Sequence, residues 1–158
     1  MTLSTLIGHK APAFKLKNHE GVERTNRDYT GKWLILYFYP KDNTPGCTTE
    51  ALAFTELKTM FSNKDAVVVG VSPDSVASHQ KFILKKSLNV ELLSDTEKSA
   101  AEAFGVWQLK KMAGREYMGV VRTTFVISPE GIVKEVFEKV KVNGHVEAVF
   151  NRLCLLSE

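Results

Sequence analysis

Trp33-Leu34-Ile35-Leu36-Tyr37-Phe38-Tyr39-Pro40 is the stretch on which the fold turns. A strand with one wet face would alternate polar and apolar residues. This run, rich in aromatic and β-branched side chains, has no polar interruption before its proline, so it predicts a strand covered on both faces. Ala66-Val67-Val68-Val69-Gly70-Val71-Ser72 repeats the pattern and stops at Pro73, and Thr123-Thr124-Phe125-Val126-Ile127-Ser128 repeats it again. Between these runs, apolar residues fall at helical intervals over residues 48–61, 76–86 and 96–104. Buried strands alternating with helices predict an α/β fold.

Working outward, residues 14–22 suit an N-terminal β-hairpin. After the turn Ser128-Pro129-Glu130-Gly131, residues 132–137 alternate like an antiparallel hairpin strand. Over residues 144–156, Val146, Val149, Phe150, Leu153 and Leu156 share one helical stripe. There is no linker, repeat or low-complexity tract, so residues 1–158 are expected to form a single domain. With 44% apolar and 25% charged residues, the composition excludes a disordered or fibrous chain.

The longest apolar stretch, the eight residues 33–40, falls far short of the roughly 20 that a bilayer helix needs. The N-terminus lacks a basic segment followed by a hydrophobic run, so a cytoplasmic location is expected. The net charge of +3 is spread along the chain, with Lys85-Lys86 and Lys110-Lys111 as isolated pairs, and gives no nucleic-acid footprint. No glycine-rich phosphate cradle is present, so a nucleotide cofactor has nothing to bind.

The chemistry lies in Tyr39-Pro40-Lys41-Asp42-Asn43-Thr44-Pro45-Gly46-Cys47-Thr48-Thr49-Glu50, between the first strand and the helix after it. Thr44 suits the N-cap and Pro45 the first helical position, which puts Cys47 in the first turn. A sulfur there faces unpaired amides and the positive end of the helix dipole, surroundings that favour the nucleophilic thiolate. The carboxyl end of a central strand is also where α/β proteins bind ligands. Cysteine is often just a small buried hydrophobe, but a cap, a glycine and polar residues around this one point to reactivity. Cys154, the other cysteine, is 107 positions away, which speaks against a stabilising disulfide in a cytosolic chain. Neither cysteine has ligand-spaced partners, so no metal site is expected. His9, His19, His79 and His145 are scattered and are taken as surface or packing residues, and Phe104 and Trp107 as core.

Pro40-x-x-x-Thr44-x-x-Cys47 resembles the active-site pattern of the peroxiredoxins, and residues 38–51 resemble the Q-type branch, the bacterioferritin comigratory proteins. The resemblance continues through Gly8-His9-Lys10-Ala11-Pro12-Ala13-Phe14, Gly70-Val71-Ser72-Pro73-Asp74, Leu92-Leu93-Ser94-Asp95 and Arg122-Thr123-Thr124-Phe125-Val126-Ile127, and so spans most of the chain. It implies a thioredoxin-like fold, with a central mixed sheet flanked by helices. The implied activity is a thiol peroxidase that reduces hydrogen peroxide and organic hydroperoxides. Cys47 would be the peroxidatic cysteine, Thr44 and Arg122 would hold and polarise the peroxide, Pro40 would shield the thiolate, and Glu50 would orient the arginine. No cofactor is implied, because the sulfur itself cycles between thiol and sulfenic acid.

Many Q-type members carry a second cysteine five residues after the first; here that position is Leu52. The sulfenic acid is therefore expected to be reduced by an external thiol, from a thioredoxin- or glutaredoxin-like protein or a small molecule, acting on a monomer or weak homodimer. A Cys47–Cys154 or intersubunit disulfide is the alternative, although Leu153-Cys154-Leu155-Leu156 suits core or interface packing better. Two rival functions use the same fold: a monothiol disulfide reductase, and a binding module with an inert cysteine. The first lacks the Cys-x-x-Cys that such a reductase presents. Thiol alkylation near pH 6 separates the second, because an inert thiol would be protonated and slow.

Overall fold

The computed structural model describes residues 3–158. A hairpin of β1 (Lys15–Asn18) and β2 (Glu23–Thr25) leads into β3 (Trp33–Phe38), then α1 (Pro45–Glu56), α2 (Lys58–Ser62), β4 (Ala66–Ser72) and α3 (Val76–Lys86). There follow β5 (Glu91–Ser94), α4 (Ser99–Ala103), the pair β6 (Trp107–Met112) and β7 (Arg115–Val120), β8 (Thr123–Ile127), β9 (Val133–Phe137) and α5 (His145–Leu156). Seven strands form one sheet in the order β2-β1-β5-β4-β3-β8-β9, while β6 and β7 pair apart from it. The sheet is mixed: β3 runs parallel to β4, and β4 to β5, whereas β8 lies antiparallel to β3 with Leu36 opposite Phe125.

The pleat of β3 divides the core. Leu34, Leu36 and Phe38 join Phe104, Phe125 and Val71 on one face, under the N-terminal hairpin and α4. Ile35, Tyr37 and Tyr39 point the other way, to Phe54, Phe61, Phe82, Val146, Val149 and Leu153 of the helices α1, α2, α3 and α5. Burial on both faces is what the uninterrupted apolar run requires. Gly70 makes room on the second face: a Cβ there would lie 2.7 Å from the Tyr37 ring and 2.8 Å from Leu92. The N-terminal hairpin is tied to β5 by Glu91, which accepts hydrogen bonds from Tyr29 Oη at 2.5 Å, Asn18 Nδ2 at 2.7 Å and Arg24 Nε at 2.9 Å.

The helix begins at Pro45, where the cap reading of Thr44 and Pro45 put its start, but the helical spacing expected through 61 breaks at Leu57 into α1 and α2. The Thr55 hydroxyl donates to the Ala51 carbonyl at 2.8 Å and accepts from Asn89 N at 3.0 Å, and such back-bonding bends a helix where it cannot continue straight. The helix expected over 96–104 shrinks to Ser99–Ala103, because the Asp95 carboxylate caps it from outside by accepting from Ala100 N and Ala101 N at 3.1 and 2.9 Å. Phe104 is core, as expected, and Trp107 packs half-buried against the first cluster. Among the described residues no helix is long and apolar enough to cross a membrane.

Candidate active site

β3 delivers the chain to the site and α1 carries its sulfur. After Tyr39 the backbone leaves the sheet at half-buried Pro40, and Asn43 adopts a left-handed conformation at φ 59°, which asparagine tolerates better than most residues. Thr44 stands at the N-cap of α1 with extended backbone, and Pro45 follows at the first helical position. The Thr44 hydroxyl, however, does not cap the helix. It donates to the Lys41 carbonyl at 2.8 Å and closes the turn before the helix, which leaves the first-turn amides without a side-chain cap.

Cys47, two residues further on from Pro45, is 1% exposed and packs among Tyr37, Ala51, Phe54 and Val146. Arg122, just ahead of β8, reaches it from across the sheet: Nη2 lies 3.2 Å from the Cys47 sulfur while Nη1 donates to Glu50 Oε1 at 2.7 Å. The Val140 amide donates to the Arg122 carbonyl at 3.0 Å and fixes the backbone beneath the guanidinium. Gly46 leaves room for this approach: a Cβ there would sit 3.2 Å from Arg122 Nη2, close enough that the guanidinium would have to give by a few tenths of an ångström. Burial alone would lower the Arg122 pKa, but the charges of Glu50 and Cys47 outweigh it and raise it. Glu50 has no exposure, and burial pushes its carboxyl up to about 7 against the opposing pull of Arg122. Its Oε2 has no hydrogen-bond partner.

Cys47, Arg122 and Glu50, expected from separate stretches of sequence, are thus in direct contact. Thr44 stands one turn away at the mouth of the helix, and Pro40 ends the strand that leads there. Two residues were not singled out from the sequence. His145, taken only as a surface or packing residue, is buried, with Nε2 2.8 Å from Thr124 Oγ1 and 3.9 Å from Glu50 Oε2. Lys110, taken as part of an isolated surface pair, folds back so that Nζ donates to the Val120 carbonyl at 3.1 Å; burial and then the charge of Arg122 lower its pKa. Nothing local in the sequence marks either residue, because each meets the site only through the fold.

His79 is also buried, with Nδ1 2.7 Å from Asp42 Oδ2 and Nε2 2.9 Å from the Leu93 carbonyl. Asp42 and His79, with Asp74, offer ligand atoms within 4.8 Å of one another. Asp42 is already engaged by Tyr39 Oη at 2.6 Å and Ser78 Oγ at 2.8 Å, so the cluster is an internal network that locks the active-site loop to α3. Cys154, expected to suit core or interface packing, is not part of the core. The core stripe of α5 is Val146, Val149 and Leu153, and Cys154 lies beside it, half-buried. It stands nine residues past His145, about 13 Å along the axis from the residue that meets Glu50, whereas a disulfide needs Cα atoms within ~7 Å.

A cysteine in the first turn of a helix after a central strand, with an arginine on its sulfur, defines the thiol-peroxidase class of thioredoxin-like proteins. Comparison with known proteins agrees: residues 7–136 match the AhpC/TSA family, and the chain belongs to it. It is 50% identical to "Peroxiredoxin Bcp" of Bacillus subtilis over 96% of this chain and 97% of that protein. It is 48% identical to "Putative peroxiredoxin bcp" of Helicobacter pylori, over 93% and 97%. Among solved structures, a serine-for-cysteine variant of Xylella fastidiosa PrxQ superposes with a TM-score of 0.91 at 40% identity, covering 96% of this chain and 97% of that one. The Xanthomonas campestris bacterioferritin comigratory protein, studied for its alkyl peroxide reduction, superposes at 0.88 with 42% identity over 92% of each chain. The enzyme is a peroxiredoxin, a thiol peroxidase of the Bcp or Q-type branch.

Proposed function

We propose that Cys47 is the peroxidatic cysteine and that this enzyme works in a single-cysteine mode. The observation that carries the reading is the guanidinium of Arg122 at 3.2 Å from the Cys47 sulfur, held there by the buried Glu50 carboxylate. With Nη2 on the sulfur and Nη1 on Glu50, Arg122 can donate to a peroxide aligned with the thiolate. The thiolate attacks the terminal oxygen of ROOH, the O–O bond breaks, and alkoxide leaves with the bonding pair and takes a proton to become ROH. The sulfur, oxidised by two electrons, is left as sulfenic acid. Charge developing on the departing oxygen meets Arg122 and the first-turn amides, which Thr44 leaves uncapped.

The Thr44 hydroxyl already donates to Lys41, so its lone pairs are what it offers to the peroxide O–H. Pro40 and the turn after it close the sulfur off from bulk water. Hydrogen peroxide and small or alkyl hydroperoxides are the substrates. An external thiol, from a thioredoxin- or glutaredoxin-like protein or a small molecule, then attacks the sulfenic sulfur. Water leaves, a mixed disulfide forms, and a second thiol releases Cys47. The position of Cys154 along α5 favours this route over an internal disulfide. The whole 158-residue domain acts as a monomer or weak homodimer in the cytoplasm, where its two cysteines stay unpaired.

Intact-mass analysis after one equivalent of peroxide, without thiol, tests the reading. The parent and Cys154→Ser should both gain one oxygen at equal rates, and Cys47→Ser should gain none while keeping its circular dichroism. Loss of two hydrogens in the parent, absent from Cys154→Ser, would make Cys154 the resolving residue. Turnover by folded Cys47→Ser would remove Cys47 from the chemistry.

A further inference from the structure

Behind the pair that faces the sulfur, a buried carboxylate oxygen is left over. Glu50 accepts from Arg122 through Oε1, but Oε2, in a side chain with no exposure, accepts from nothing. An interior oxygen in that state is costly unless a proton or a donor comes to it. The nitrogen facing it is Nε2 of His145, 3.9 Å away, about 1 Å beyond hydrogen-bonding distance.

His145 is the first residue of α5, placed there by Gly144, whose φ of 76° turns the chain into the helix. Its ring is boxed edge-on by Phe54 at 6.4 Å and Phe137 at 5.5 Å between centroids, and its Nε2 lies 2.8 Å from Thr124 Oγ1. The charged and titratable groups around the pair are Cys47 from α1, Tyr37 from β3, Arg122 ahead of β8 and Glu147 from the first turn of α5. Burial and then the Arg122 charge lower the imidazole to about 4, while burial lifts Glu50 to about 7. Near neutrality the imidazole is therefore uncharged. A proton in this group resides on the carboxyl, and Nε2 can serve as its acceptor.

We propose that His145 is a positioning residue of the peroxidase site: its Nε2 accepts a hydrogen bond from Glu50 Oε2–H, which keeps the proton on Glu50 and leaves the charge of Arg122 undivided toward the Cys47 sulfur. The inference rests on the assignment of Cys47 and Arg122 above. With Glu50 ionised, Nε2 keeps its 2.8 Å contact with the Thr124 hydroxyl, and the arginine divides its charge between carboxylate and sulfur. With Glu50 protonated, a shift of about 1 Å brings Oε2 and Nε2 into hydrogen-bonding range. The guanidinium then serves the thiolate alone, and the imidazole determines up to what pH that state persists.

The test is the rate of Cys47 oxidation by hydrogen peroxide, followed by stopped-flow fluorescence from pH 5.5 to 8.5. His145→Phe keeps the ring in its box but has no acceptor, so Glu50 ionises at lower pH. Its rate should fall about three- to tenfold below the parent near pH 6, and the defect should close above pH 8. His145→Gln, whose carbonyl can accept, should restore the profile. In a Glu50→Gln background, His145→Phe should lose its pH dependence. A defect uniform in pH would make His145 a packing residue and overturn the proposal, as would no defect in a folded His145→Phe or failure of His145→Gln to restore the profile. Should His145→Phe not fold, difference infrared on the parent decides. A protonated-carboxyl band absent from Glu50→Gln should titrate near pH 7, and its absence at pH 6 also overturns the proposal. The Cys47→Ser and mass measurements test the assignment beneath it separately.

Discussion

Glu50→Gln removes a charge from a side chain with no exposure while keeping its shape and an oxygen for Arg122 Nη1. The carboxyl goes from 4.5, its ordinary value, to about 7 in the folded protein, because burial penalises the charged form more than Arg122 rewards it. A group raised in this way stabilises the fold fully at pH values below its unfolded pKa. That contribution is lost as pH rises through the window from 4.5 to about 7, because the folded state holds a proton that the unfolded state has released. The integral over that window is roughly 3 kcal/mol. Glutamine cannot titrate, so the stability of Glu50→Gln minus that of the parent should become more positive by about that amount between pH 4.5 and 7.5. His145 is lowered to about 4, and its contribution to stability is instead lost as pH falls from 6.5 toward that value, opposite in direction to that of Glu50. Urea unfolding at half-unit intervals of pH, with equal m-values checked, measures the difference. Parallel curves for the two proteins would mean that Glu50 is ionised throughout the window, and would refute the claim that burial outweighs its ion pair with Arg122.

Gly46→Ala should slow the reaction of Cys47 with peroxide about tenfold with little loss of stability, because the new Cβ meets Arg122 Nη2 at 3.2 Å; an unchanged stopped-flow rate would show that the guanidinium yields freely. Thr44→Val should lower the same rate on the order of 10²-fold while Thr44→Ser stays active, and a Thr44→Val enzyme as fast as the parent would leave the hydroxyl only its bond to Lys41. His79→Ala strands the buried Asp42 carboxylate and should cost about 3–5 kcal/mol by urea unfolding; a loss under ~1 kcal/mol would mean that Tyr39 and Ser78 suffice to hold Asp42.

The sequence carried the centre of the fold because double-sided burial forces an uninterrupted apolar run, so β3, β4 and β8 stood within a residue of their final bounds. The peripheral strands obey no such demand. β5 is the four residues Glu91–Ser94, and its Glu91 is a polar anchor for the hairpin, not a core residue. The β6–β7 hairpin turns through Ala113 and Gly114, both at positive φ of 52° and 78°, and its strands are largely exposed. A two-residue turn of that kind is announced by Asn-Gly or Asp-Gly. Alanine in the first place, and strands with little apolar pattern, leave no signal.

The active site divides along the same line. Thr44, Pro45 and Cys47 share one loop and helix start, so cap chemistry reads them together, whereas Pro40, Glu50 and Arg122 were reached through the family resemblance of the segments that hold them. What could not be read is the layer behind them. The helical spacing of residues 144–156 marks the face of α5 that meets the core, but only the seating of α5 against α1 and β8 brings the imidazole of His145 beside Glu50. The same helix holds Cys154 nine residues further on, so under the single-cysteine reading proposed above one placement both supplies the carboxylate with a neighbour and leaves Cys47 without an internal resolving thiol. An oxidised sulfur without such a partner must wait for an external thiol. During that wait the ion pair beside it cannot depend on α5 moving, so α5 can be built, as here, into the rigid wall of the site.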